Sequence, residues 1–129
     1  MKILVFGATG MLGHALIRVL SEKNNWQTFG TVRNEESKRF FQPNYAENFI
    51  ISCEVTNYKD LVKVFNQINP NVVINCISLS KELLKSADPL NMIPIYSLLP
   101  HQLSMLCKKF DTRLVQMSSD GVFSGKNTI

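Results

Sequence analysis

Three glycines spaced three residues apart, Gly7, Gly10 and Gly13, are the residues whose type and spacing most clearly suggest chemistry. They lie in Gly7-Ala8-Thr9-Gly10-Met11-Leu12-Gly13, directly after an apolar run and at the start of a stretch with helical periodicity. A turn of this kind can cradle phosphate: Gly7 permits the tight turn, Gly10 lets the backbone approach a pyrophosphate, and Gly13 lets a helix pack close to a sheet while its N-terminal N–H groups face the anion. A merely structural turn would need only one glycine. Gly7, Thr9, Gly10, Met11, Leu12 and Gly13 are therefore candidate cofactor contacts. A second candidate lies at Gly30-Thr31-Val32-Arg33, where no carboxylate occurs before Glu35. An acidic residue at the end of the second strand would accept from the ribose hydroxyls of NAD, whereas a guanidinium there suits the extra phosphate of NADP. NADP is the expected cofactor, and NAD stays open should Arg33 be only a solvated loop residue.

The elements that must position these residues follow from the alternation of short β-rich runs with helical patterns, which marks βαβ units around a parallel sheet. Strands are expected at about residues 2–6, 26–32, 49–53, 72–76 and 114–117. A helix over 11–21 places Leu12, Ala15, Leu16, Val19 and Leu20 at helical spacing. A short, weak helix is expected after the polar loop 33–38. Thr56 or Asn57 caps a further helix carrying Tyr58, Leu61, Val62, Phe65 and Ile68 on one side, which Pro70 closes. The long helical region 88–109 must be kinked or interrupted at Pro94 and Pro100, because each removes a backbone donor. Right-handed crossovers give a Rossmann-type, doubly wound parallel sheet of order 3-2-1-4-5, with the cofactor crevice between the first and fourth strands. Residues 1–129 are expected to be one NAD(P)-binding α/β domain.

Composition excludes several classes. The chain is 45% hydrophobic and 19% charged, ordinary for one soluble domain. No apolar stretch reaches the length of a bilayer span. The opening segment is broken by glycines and followed by Arg18, unlike a secretory signal. Cys53, Cys76 and Cys107 are far apart and read as buried thiols of a reducing cytoplasm. The net charge of +4 is scattered rather than gathered into a nucleic-acid footprint. His14 and His101 are isolated and make no metal site. The methionines read as packing residues, and Lys81, just after the fourth strand, as a solvated lysine.

The G-x-x-G-x-x-G spacing resembles that of the extended short-chain dehydrogenase/reductase superfamily. Glu54-Val55-Thr56 after the third strand looks like that family's D-hydrophobic adenine contact, with Glu in place of Asp, and Asn75-Cys76-Ile77 looks like its N-A-A segment. The resemblance implies cofactor contacts at Glu54, Val55, Cys76 and Ile77. The most discriminating segment is Ser118-Ser119-Asp120-Gly121-Val122-Phe123-Ser124-Gly125, which is similar to the S-T-D-x-V-F-D/S-G block of dTDP-4-dehydrorhamnose reductases. Sugar-nucleotide dehydratases carry a glutamate where Gly121 stands, and epimerases commonly show V-Y-G where this chain has Val122-Phe123-Ser124.

That resemblance implies NADP(H)-dependent reduction of a nucleotide-linked 4-keto-6-deoxy sugar. Ser118 would border the cofactor, and Ser119 would be the catalytic hydroxyl that hydrogen-bonds the substrate carbonyl. A hydroxyl at the carboxyl end of a central strand does sit in the crevice, although serines after strands are also ordinary turn residues. Tyr96 departs from the asparagine usual among relatives. None of Tyr45, Tyr58 and Tyr96 begins the family's Y-x-x-x-K, so the chain reads as the cofactor-binding half of an active site, C-terminally truncated and inactive alone. Two alternatives stand beside this reading: a sugar-nucleotide epimerase or dehydratase, and a non-catalytic NADP-binding module like the regulatory subunit of methionine adenosyltransferase. The expected partner is the nucleotide sugar, with neither nucleic acid nor membrane; self-association into a homo-oligomer is left open.

Overall fold

The computed structural model describes residues 1–51, 53–79 and 88–118. Five parallel strands form one sheet: β1 (Lys2–Phe6), β2 (Gln27–Val32), β3 (Phe49–Ile51), β4 (Val72–Asn75) and β5 (Arg113–Gln116). Their order is β3-β2-β1-β4-β5, as expected. β1 is the centre, with Val5 opposite Gly30 on one side and Ile74 on the other.

Alternation along β1 explains the layers, because successive side chains point to opposite faces. Leu4 and Phe6 face α3 (Tyr58–Ile68) and α5 (Leu99–Lys109), packing with Leu61, Phe65, Leu99 and Leu103. Ile3 and Val5 face α1 (Met11–Ser21), packing with Ile17, Val32 and Phe49. β1 is covered on both faces, which is why its sequence is an unbroken apolar run.

The helix ends follow local chemistry. Asn57 caps α3 by accepting from the Lys59 N–H, so of the two N-cap candidates it is the one used. Asn69 closes the helix in a left-handed conformation, φ 49°, immediately before Pro70. The segment after β2 forms a 3-10 turn (Glu35–Phe40) and a single turn, α2 (Pro43–Ala46), in keeping with a short, weak helix. Among the described residues no helix is long and apolar enough to cross a membrane.

Two expectations need correction, and a third is met in a particular form. The buried residues of α1 are Gly13 and Ile17, whereas Leu12 and Val19 are exposed; the inward stripe is rotated away from those two positions. The long helical region has its α-helix interrupted at the prolines, as expected, but by a change of helix type rather than by a break. It runs from α4 (Pro89–Met92) through a π-helical segment (Ile93–Leu98) into α5, with the Leu99 N–H reaching the Pro94 carbonyl five residues back. Widening the turn shifts the ladder where the prolines lack donors. Finally, Met11 and Met105 are exposed, so methionine in this chain is not confined to packing.

Candidate functional site

The parallel register brings the separate sequence candidates to one edge. Phe6, Asn75 and Gln116 are partners across β1, β4 and β5, and Val32 is opposite Ile51 at the ends of β2 and β3. The residues that follow each strand, Gly7, Arg33, Glu54, Cys76 and Ser118, therefore lie along the carboxyl edge of the sheet. At β1 the connections diverge, one neighbour being β2 and the other β4, which is the place where open α/β sheets form a crevice.

The three glycines of the turn are there for different reasons. Gly7 has φ +80°, and a Cβ on it would come within 3.0 Å of the Cys76 backbone. Gly13 carries the closest approach: a Cβ there would lie 2.1 Å from the Gly7 carbonyl oxygen, so only glycine lets α1 sit so near β1. Gly10 is held to neither requirement. Its backbone is extended, φ −72° and ψ 160°, and among the described residues a Cβ would meet only the Gly7 oxygen at 3.4 Å, an ordinary contact. Packing among the described residues does not demand glycine at this position, and a Cβ would fill the space over the turn. Gly10 is also the N-cap of α1, which has no side-chain cap and no acidic residue in its first turn. A helix leaves its first N–H groups without intrahelical partners, so this end is a positive, unshielded terminus suited to an anion. Thr9 and Leu12 are exposed beside it, and Met11 is 93% exposed.

At the tip of β2, Arg33 is exposed and, among the described residues, joins no ion pair. Glu35, the first carboxylate after the strand, is paired with Lys38 at 2.8 Å. The nearest carboxylate in sequence is thus turned to Lys38 rather than to the guanidinium. The loop after β2 is tied to α1 by His14, whose Nε2 lies 3.0 Å from the Phe40 carbonyl and whose ring stacks on Phe41.

Glu54, the adenine contact that the resemblance implies, is exposed in the loop after the third strand. Its carboxylate accepts from the Thr56 N–H and hydroxyl at 3.2 and 2.9 Å, stabilising its own loop. Val55 is half-buried against the core on the α3 face. Beside the glycine turn, Cys76 donates its N–H to the Phe6 carbonyl, and burial pushes its thiol pKa up. Its side chain packs against the core cluster on the α1 face. Ile77 packs on the α3 face, its N–H held by the Asn75 side chain at 3.1 Å.

Asn75 plays a larger part than its place in a motif suggested. It is 1% exposed, and its amide donates to Gln116 at 2.9 Å while its oxygen accepts from Ile77, so one side chain fixes the ends of both β4 and β5. A buried asparagine at the end of an apolar strand was the available signal, because a buried amide must find partners. Ser118 is exposed just beyond β5. Ser119, the rest of its block and Lys81 lie outside the described residues.

A sequence profile of the NAD dependent epimerase/dehydratase family matches residues 3–129. No curated protein sequence matches closely enough to count as a relative. Among solved structures, a dTDP-4-dehydrorhamnose reductase from Clostridium acetobutylicum is 26% identical, with a TM-score of 0.71 over 100% of this chain and 40% of that one. A dTDP-glucose 4,6-dehydratase from Bacillus anthracis in complex with NAD is 19% identical, with a TM-score of 0.72 over 100% of this chain and 42% of its own. A dTDP-4-dehydrorhamnose reductase from the same organism in complex with NADP is 20% identical, with a TM-score of 0.70 over 98% of this chain and 39% of its own. The chain thus spans about two fifths of the length of the structures it resembles. Since two of these proteins share the fold while holding different cofactors, the backbone alone does not choose between NAD and NADP.

Proposed function

This chain belongs to the NAD-dependent epimerase/dehydratase family, and from that premise we propose that it is the cofactor-binding half of an NADP(H)-dependent reductase of a nucleotide-linked 4-keto-6-deoxy sugar. The observation that carries the cofactor part is Gly10: a glycine at the mouth of the turn whose absent side chain is required by no neighbour among the described residues, beside a helix terminus without a side-chain cap. A bound pyrophosphate supplies the missing reason.

In this reading the backbone from Gly7 to Gly13 and the first turn of α1 hold the pyrophosphate. Arg33 reaches the phosphate on the adenosine ribose, a role for which a planar guanidinium is better shaped than any neighbouring group. The nicotinamide, once bound, supplies the hydride. Asn75 keeps the ends of β4 and β5 in register below it. Ser119 hydrogen-bonds the carbonyl oxygen of the sugar, a role supported by its place in the sequence shortly after β5 and by its block's similarity to that of the reductases. Gly121, standing where the dehydratases have a glutamate, favours reduction over elimination.

The test is direct. The intact protein that carries this chain is incubated with NADPH and dTDP-4-keto-6-deoxy sugar, and oxidation of NADPH is followed. Turnover is expected, with Ser119→Ala lowering kcat by on the order of 100-fold and leaving cofactor affinity unchanged. Tight NADPH binding without turnover on any nucleotide-linked keto sugar would instead favour the non-catalytic module.

A further inference from the structure

Tyr96 lies in the π-helical segment, where the widened turn between Pro94 and Pro100 carries its side chain toward the exit of β4. Its hydroxyl oxygen accepts from the Leu79 N–H at 3.1 Å and lies 3.3 Å from the Ser78 Oγ. Ser78 in turn reaches the Leu79 carbonyl at 3.3 Å. One assignment of protons satisfies all three contacts: Leu79 donates to Tyr96, Tyr96 to Ser78, and Ser78 to Leu79. The phenol therefore adds a polar tie between the strand exit and the helical run, beside the apolar packing of Ile77 against the cluster that contains Leu99 and Leu103.

The joined segment is not a remote one. Cys76 lies against the glycine turn, so Ile77, Ser78 and Leu79 leave the sheet on the β4 side of the pyrophosphate cradle. Arg33 marks the β2 side as the adenosine side. A dinucleotide straddling the divergence of strands at β1 must then send its other half across the β4 side, over the exit that Tyr96 holds.

We propose that Tyr96 is a positioning residue for the nicotinamide half of the cofactor, acting through the Ser78–Leu79 segment that its hydroxyl pins. The proposal rests on the dinucleotide reading given above. Pinning matters because Ser78 is exposed beyond the packed Ile77, and a segment that must be ordered at binding subtracts from affinity.

The experiment uses the intact protein and Tyr96→Phe, which keeps the ring and removes only the hydroxyl. Two ligands are titrated: NADPH, and adenosine 2′,5′-bisphosphate, which lacks the nicotinamide half. The Leu79 amide exchange rate is measured alongside. The expected result is NADPH affinity reduced by about tenfold, in the range of one lost hydrogen bond, with adenosine 2′,5′-bisphosphate unaffected and Leu79 exchange accelerated. Equal weakening of both ligands, or no change in NADPH binding, would overturn the proposal. If the unsubstituted protein binds neither ligand, the dinucleotide reading itself fails and the cofactor role falls with it. Leu79 exchange then judges the hydroxyl contact by itself: unchanged exchange in Tyr96→Phe overturns that too.

Discussion

The glycine turn and the tip of β2 are both assigned to the same cofactor, yet they are made of different materials. In the turn, the groups that would meet the ligand are main-chain, and their positions are set by the positive φ of Gly7 and the close approach of Gly13. At the tip of β2 and the neighbouring loop, the groups are long side chains: Arg33 is exposed, and the Glu54 carboxylate is turned back on Thr56. The backbone site is organised before any ligand arrives. The side-chain site has to be ordered by the ligand, at a cost in rotamer freedom.

Substitutions in the turn give the largest expected effects and separate packing from binding. Gly13→Ala places a methyl group 2.1 Å from the Gly7 oxygen, so α1 must move off β1. A loss of about 3 kcal/mol or more is expected in urea unfolding, at the upper end of overpacking effects. Gly10→Ala should behave in the opposite way. It meets no close neighbour, and alanine is only a somewhat poorer N-cap than glycine, so stability should fall by about 1 kcal/mol or less. NADPH affinity should nevertheless drop about tenfold or more, because the methyl group occupies the approach to the pyrophosphate. Equal destabilisation by both substitutions, with no separate effect on binding, would erase the distinction between the two glycines.

At the side-chain site, Arg33→Asp should change preference rather than stability. A charge-assisted hydrogen bond is worth about 1.5–3 kcal/mol, so the ratio of NADPH to NADH affinity should fall by about tenfold or more, or reverse. Fluorescence titration of both cofactors measures it. Equal affinities in the parent protein, unmoved by the substitution, would remove Arg33 from the site.

The same division explains what could be read before the structure. Strand order, both helix-bearing faces and the turn followed from patterns of backbone consequence: the apolar run of β1, the glycine spacing, and the Pro70 stop after α3. Single side-chain placements were harder. Leu12 and Val19 fit a helical repeat, but an eleven-residue helix packed on one face buries a narrower stripe than the repeat allows, and Ile17 took its centre. The turn of the Glu54 carboxylate onto Thr56 is a contact two residues apart that no pattern of residue types announced. The π segment was not legible because two prolines predict a lost ladder bond without saying whether the chain will bend, break or widen.

The smallest expected effect lies inside β2, upstream of Arg33. Thr28 is buried opposite Ile3, and among the described residues its hydroxyl oxygen has no hydrogen-bond partner. Burying an unpaired hydroxyl opposes folding, whereas a methyl group of nearly the same size does not. Thr28→Val should therefore raise stability by about 1 kcal/mol, seen as a rise in melting temperature of roughly 4 °C for a domain of this size. Because Thr28 is in the first half of the strand and Arg33 lies beyond its end, the relative affinities for NADPH and NADH should not change. A gain in stability with unchanged preference would show that the interior of β2 and its tip are independent. A loss of stability would mean that the hydroxyl is satisfied, as by an ordered water, and a shifted cofactor preference would mean that the strand transmits its packing to the guanidinium.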